Sequence, residues 1–315
     1  MRFGRKFWKP LWAIRQLQML AMIAACLSLL TACVGISAAE LNSIGSKLTR
    51  EDIDFAELEA YAERSGAAYR AKQVIKAKYP KTIRISSPGD TGVRYFLEQD
   101  DAAKTQIITV RGTADQKNFA EDLNITVRTD RQADIPVHAG FDLAARAIYS
   151  DATPYLKRDY KIYVTGHSLG GAVAALVTIY AIEDGFRVER VITFGQPKFT
   201  TAAGVRRLRF PLIRVVDEND LVPMLPPATA IDPQFGPYEH VGPEVILLQE
   251  KRYVYLPAHD ANRITIGEFW RSIGIADLPD HKINRYINRI VDKIKGAAEV
   301  TYNQREKYIG PAAVN

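Results

Sequence analysis

The feature that most constrains this chain is Gly166-His167-Ser168-Leu169-Gly170, set between a β-type run, Tyr160 to Thr165, and the helix-forming Gly171-Ala172-Val173-Ala174-Ala175-Leu176. A serine at the tip of a sharp strand-to-helix turn has a strained backbone, and flanking glycines remove side chains that would strike the neighbouring strand or helix. Such a turn exposes the Ser168 hydroxyl. It also places the Leu169 backbone N–H, at the positive end of the following helix, where it can meet a developing oxyanion. A pentapeptide of this kind also arises by chance; the strand and helix on the correct sides are what give it meaning.

The rest of the chain supplies a sheet for that turn to sit on. Short β-rich runs at Thr82 to Ser86, Val93 to Glu98, Gln106 to Val110, Lys161 to Thr165, Val188 to Phe194 and Leu212 to Val216 alternate with helical patterns. The helical ones are Asp52 to Lys78, with a break at Ser65-Gly66, then Ala139 to Tyr149, Ser168 to Glu183, and His281 to Lys295. This alternation predicts an α/β sheet with helices on its faces. In the last helix Ile283, Tyr286, Ile287, Ile290 and Ile294 form an apolar stripe, which reads as core packing. Pro223 to Pro243 reads as an ordered loop over the sheet, and residues after Gly296 as peripheral.

The N-terminus has a different character. Arg2, Arg5, Lys6, Lys9 and Arg15 precede an apolar stretch from about Leu17 to Ala32, and they account for five of the six net positive charges of the chain. The basic balance therefore belongs to a targeting segment, and no nucleic-acid partner is expected. Leu30-Thr31-Ala32-Cys33 resembles a bacterial lipobox, in which the cysteine receives a lipid and becomes the mature N-terminus; cleavage after Ser37-Ala38-Ala39 is the alternative. Cys26, after Ile23-Ala24-Ala25, is a weaker lipidation candidate. Both cysteines of the chain lie here, so no disulfide is expected in the mature protein. The reading divides the chain into a signal or lipoprotein segment (1–33), a tether (34–50), one domain (51–296) and a C-terminal tail (297–315).

A serine hydroxyl needs a general base, and the base needs a carboxylate to hold its tautomer. Asp220, in Val215-Val216-Asp217-Glu218-Asn219-Asp220, lies just beyond a predicted strand, where sites in open α/β sheets gather; Asp217 competes with it. For the base, His281, His259 and His240 all follow the serine, and the residues alone leave the three open. His138 precedes the serine, against the order serine, acid, histidine of a strand-turn-helix nucleophile.

In that order these residues resemble the class 3 lipases, a family of fungal triacylglycerol lipases and bacterial relatives. The resemblance spans most of Asp52 to Lys295 and includes Val110-Arg111-Gly112-Thr113, Val137-His138-Ala139-Gly140-Phe141, Phe194-Gly195-Gln196-Pro197, Asp220-Leu221-Val222-Pro223, His240-Val241-Gly242 and Asp280-His281 with Tyr286. It implies an α/β-hydrolase fold, a central mostly parallel sheet with helices on both faces. Ser168 becomes the nucleophile, Asp220 the orienting acid and His281 the general base. Thr113 matches the family's second oxyanion residue, opposite Leu169, while Gly166, His167 and Gly170 complete the elbow. The stretch Asp115 to Ile125 corresponds to a lid, with Phe119 and Leu123 facing the cleft. Val110 stands where the family usually has phenylalanine, and the region from Pro223 to Val241 aligns poorly.

The resemblance implies a serine ester hydrolase that acts on acylglycerols through an acyl-enzyme. Phospholipase A1, a short-chain or aryl esterase, and a non-catalytic lipid-binding surface lipoprotein are the alternatives. No cofactor and no metal are expected, since the histidines lack ligand-pair spacing. The expected partners are a lipid or other ester substrate and a membrane or lipid interface reached through the N-terminal anchor, with no obligate protein partner. The expected location is outside a bacterial cytoplasm, as an anchored lipoprotein or as a secreted protein.

Overall fold

A computed structural model describes residues 53–113, 126–208, 210–227, 230–262 and 281–309. The signal segment with Cys33, the tether, and the lid candidates Phe119 and Leu123 lie outside the described residues.

Fourteen strands are described: β1 Thr82–Ser86, β2 Arg94–Asp100, β3 Thr105–Arg111, β4 Val127–Asp130, β5 Ile135–His138, β6 Lys161–His167 and β7 Val188–Phe194, then β8 Thr200–Thr201, β9 Leu212–Asp217, β10 Ile231–Asp232, β11 Gly236–Glu239, β12 Glu244–Leu247, β13 Arg252–Leu256 and β14 Ala298–Glu299. The helices that matter here are α1 Phe55–Ala67, α2 Lys72–Lys78, α3 Ala139–Ala152, α4 Leu169–Glu183 and α5 Ile283–Ile294. Nine strands form the main sheet in the order β1-β2-β3-β6-β7-β9-β12-β13-β14. From β3 through β12 the neighbours are parallel; β1, β2 and β13 add antiparallel pairings at the sides. The remaining strands form a second, antiparallel sheet in the order β10-β11-β8-β5-β4.

Alternation along each strand divides the core between two faces. Ile108, Val110, Ile162, Val164 and Val191 face α3 and α4, together with Phe141, Ala145 and Ile148. Ile192, Phe194, Val215, Val245 and Leu247 face the other way, against Phe55 and Leu58 of α1 and Tyr286 and Ile290 of α5. Each such fully buried aliphatic side chain contributes roughly 1.5–3 kcal/mol. Helix α4 is buried from Gly170 through Ala181, which is why it is apolar on every side, while α5 buries only one stripe. None of the described helices is long and apolar enough to cross a membrane.

The strand and helix expectations hold to within a few residues, and the differences have local causes. Ser65-Gly66 does not break α1: Ser65 is buried with its hydroxyl 3.2 Å from that of Thr165, and Gly66 faces Ile283 and Ile287 of α5. Small residues there serve close packing, and the helix ends only after Ala67. The stretch Pro223 to Pro243 is not a plain loop, because it carries β10 and β11 of the second sheet. Residues 298–309 are not peripheral. Ala298–Glu299 pairs with β13, Tyr302 is 1% exposed, and Arg305 meets Glu218 at 3.1 Å. Strands β12 and β13 stand outside the sequence expectation, since a run as short as Val245-Ile246-Leu247-Leu248 does not distinguish strand from buried helix by its period.

Candidate active site

Strand β6 ends at His167, and Ser168 follows with φ 62° and ψ −138°, a left-handed conformation unusual for a residue with a side chain. The turn is locked from both sides. Ser168 N–H donates to Phe194 O at 2.9 Å, and Gly171 N–H returns to Ser168 O at 2.8 Å. A Cβ on Gly166 would lie 2.3 Å from Gly170 O, and one on Gly170 would lie 2.5 Å from Val110 O and 2.6 Å from Gly112 N. Glycine is therefore required by backbone approach as well as by the turn.

Gly112 brings the end of β3 against the same turn, where an added Cβ would sit 2.8 Å from His167 O and 3.1 Å from Ser168 Cβ. Half-buried Thr113 follows it. Leu169 opens α4, so its backbone N–H is one of the unpaired donors of a helix N-terminus.

Asp220 lies three residues past β9 and is 2% exposed. Its Oδ1 accepts from Val222 N–H at 2.8 Å. Its Oδ2 accepts from His281 Nδ1 at 2.7 Å and from the Tyr286 hydroxyl. With Nδ1 donating, His281 presents a bare lone pair at Nε2, and that nitrogen is buried with no hydrogen-bond partner among the described residues. Burial and the adjacent carboxylates push the Tyr286 hydroxyl well above its usual pKa, so it stays a donor.

His167 joins the turn to His281. Its Nε2 donates to the His281 backbone carbonyl at 2.8 Å, its Nδ1 accepts from the Tyr69 hydroxyl at 3.0 Å, and the two imidazoles stack at 4.7 Å. Burial, reinforced by the His281 ring, holds His167 well below the usual imidazole range and therefore neutral. Gly195 fits between the parts. At φ +56°, its added Cβ would stand 2.8 Å from His281 Cε1 and 2.9 Å from both Asp220 Oδ2 and the Tyr286 hydroxyl.

A class 3 lipase family model matches residues 107–230, a span that contains the Ser168 turn and the Asp220 loop. Over that span the chain resembles the class 3 lipases. Its sheet and helices make the α/β-hydrolase fold, shared with solved fungal lipases. The lipase from Rhizopus microsporus var. chinensis superposes with a TM-score of 0.61 and 25% identity over 74% of this chain and 88% of that one. A triacylglycerol lipase described as having a serine protease triad at its catalytic centre gives a TM-score of 0.54 and 26% identity, covering 64% of this chain and 83% of that one. By sequence, the secreted mono- and diacylglycerol lipase 1 of Fusarium solani is 33% identical over 164 residues, 49% of this chain and 47% of that protein. The chain thus spans about half the length of that curated relative.

Around this site the competing residues have different surroundings. Asp217, the rival acid, is buried between Arg285 at 3.2 Å and Arg289 at 3.4 Å. His240 Nε2 is spent on Pro223 O at 2.6 Å, and His259 is largely exposed beside Asp260. His138 caps α3 through Phe141 N–H at 3.3 Å and stacks on Phe141. Only His281 among these histidines meets Asp220. Tyr69 went unseen in the sequence: it lies 98 residues before its partner His167 and carries no local signature. Among the described residues, no cluster of three or more His, Cys, Asp or Glu side chains is placed to hold a metal ion.

Proposed function

We propose that the protein is a serine-dependent carboxylic ester hydrolase, a lipase acting on acylglycerols. The observation that carries this reading is the buried Nε2 of His281, without a partner among the described residues, on a ring backed by Asp220 and stacked on the residue that precedes Ser168. Ser168 Oγ attacks the ester carbonyl carbon while its proton passes to His281 Nε2. Asp220 stabilises the imidazolium. The oxyanion of the tetrahedral intermediate is met by the backbone N–H groups of Leu169 and Thr113. As the C–O bond breaks, the Nε2 proton moves to the departing alcohol, leaving an acyl-serine. Water then attacks the acyl carbon, giving its proton to Nε2, and the free acid leaves as Ser168 regains a proton.

Acylglycerol as substrate rests on the names of the similar proteins and on the motif set, and Phe119 and Leu123 stand as lid residues on that resemblance. Esters of increasing chain length, offered as monomers and as emulsions beside a phospholipid, test it. Activity that rises when the ester passes into emulsion supports a lipase with an opening lid. Activity confined to short monomeric esters points to an esterase, and a preference for the phospholipid sn-1 bond points to a phospholipase A1. Export, consistent with the secreted Fusarium relative, and anchoring through a lipid on Cys33 are parts of the same proposal. The mass of the mature N-terminus distinguishes a lipidated Cys33 from cleavage after Ala39.

A further inference from the structure

Four successive carbonyls of the loop that carries Asp220 are held by two residues from distant parts of the chain. His240 Nε2 donates to Pro223 O at 2.6 Å. Lys198 Nζ donates to Met224 O at 2.6 Å and to Pro226 O at 2.9 Å, and the Lys198 backbone N–H donates to Leu225 O between them at 2.7 Å. These carbonyls belong to no strand, and without such donors those of Pro223 and Pro226 would be buried acceptors left unpaired. Both anchors are themselves inside the protein, Lys198 3% and His240 1% exposed.

The setting shows what these two side chains are for. Behind the loop lies a cavity of about 30 Å³, lined in part by Asp220, Pro223, Met224 and His240. Val222 of the loop packs into the core, and the cavity leaves the loop incompletely filled beside Pro223 and Met224, where these hydrogen bonds add to its fixing. An ammonium buried on carbonyls is an unfavourable way to fill space. Burial and the nearby Arg214, only partly offset by Glu244 and Glu239, push the Lys198 amine down to about 7. Lys198 also sits three residues after Gly195, the glycine packed against His281, Asp220 and Tyr286, so it ties that turn to the acid loop.

We propose that Lys198 and His240 are positioning residues for ester hydrolysis, fixing the 220–226 loop and through it the Asp220 carboxylate against His281 Nδ1. The inference rests on the assignment of Ser168, His281 and Asp220 made above. Neither side chain touches the ester. With the loop loosened, the carboxylate drifts from His281, the imidazolium loses its counter-charge, and proton transfer from Ser168 slows while substrate binding stays as it was.

The test compares Lys198→Met, His240→Leu and His240→Gln in the full chain, the last because a glutamine amide can still donate to Pro223 O. Active sites are counted by stoichiometric fluorophosphonate labelling. Hydrolysis of a nitrophenyl ester is then measured per labelled site across pH, with thermal unfolding alongside. In Lys198→Met and His240→Leu, kcat per site should fall roughly tenfold to a hundredfold with KM within about twofold. The acid limb of kcat/KM should move to lower pH by about half a unit or more. His240→Gln should recover most of both. Unchanged kcat per site and an unmoved acid limb, with only a lower Tm, would overturn the inference, because the two residues would then merely hold the fold. If Lys198→Met does not fold, the His240 pair decides alone. A wild-type protein that fluorophosphonate fails to label refutes the hydrolase assignment itself, a separate result from labelled variants with normal kinetics.

Discussion

The turn at Ser168 and the loop at Asp220 deliver two side chains to one place and are built in different ways. At Ser168, backbone meets backbone: Gly166 lies on Gly170, Gly170 lies on Val110 and Gly112, and only hydrogen fits at each contact. At Asp220 the chain is suspended by side chains from elsewhere, Lys198 and His240 below, Tyr286 and His281 at the carboxylate. A constraint made of backbone contacts writes itself into residue types at fixed spacing. Suspension by distant donors leaves no local trace.

The contrast predicts separate failures in the two regions. Asp220→Asn should leave the fold intact, because an amide can still accept from Val222 N–H, yet kcat should fall about 10⁴-fold as His281 loses its tautomer control; circular dichroism beside single-turnover hydrolysis checks both halves. Gly166→Ala should do the reverse and damage folding first. A Cβ 2.3 Å from Gly170 O forces the turn apart, at roughly 4 kcal/mol or more, so little folded protein should be recovered. Folded Gly166→Ala protein with near-normal Tm would break the comparison.

Asp217→Asn sharpens it from the same loop. Asp217 is buried between Arg285 and Arg289 of α5, and its loss should lower stability by about 2–3 kcal/mol while kcat per active site stays within about threefold. Denaturant unfolding and active-site titration measure the two quantities. Three residues of sequence would then separate a carboxylate that fastens a helix from one that serves the reaction.

The most gradual effect is a pH slope. Lys198 sits near 7 in the folded chain against 10.5 when exposed, so between those values the unfolded chain holds more protons. Stability from this source therefore rises with pH across that window, by at most about 1.4 kcal/mol per pH unit, and is flat below it. Lys293, lowered to about 8 by burial, adds in the same direction from 8 upward. The wild-type stability curve minus that of Lys198→Met isolates the Lys198 share. A difference that does not vary between pH 7 and 10 would contradict the buried amine.

What could be read from the residues follows the same division. The strand Val188 to Phe194 and the helix after Ser168 are placed correctly because their patterns answer to local burial, and the glycines at 166 and 170 because they answer to local sterics. The base was not legible that way. The residues leave His281, His259 and His240 open and only the resemblance names His281; in the structure what separates them is the path of the chain, which returns His281 to Asp220 across 61 residues. Tyr69 and Lys198 were invisible for the same reason: a phenol and an amine in ordinary surroundings become part of the site only when the fold brings their partners. Ser65-Gly66 misled because small residues that loosen an isolated helix also permit two helices to touch.

The most direct measurement is the mass of the protein after reaction with a fluorophosphonate, followed by peptide mapping. The account predicts one adduct per chain, on Ser168, formed rapidly in the wild type and at least about a hundredfold more slowly in His281→Ala. An adduct on another residue, no adduct at all, or labelling of Ser168 at the same rate without His281 would contradict it.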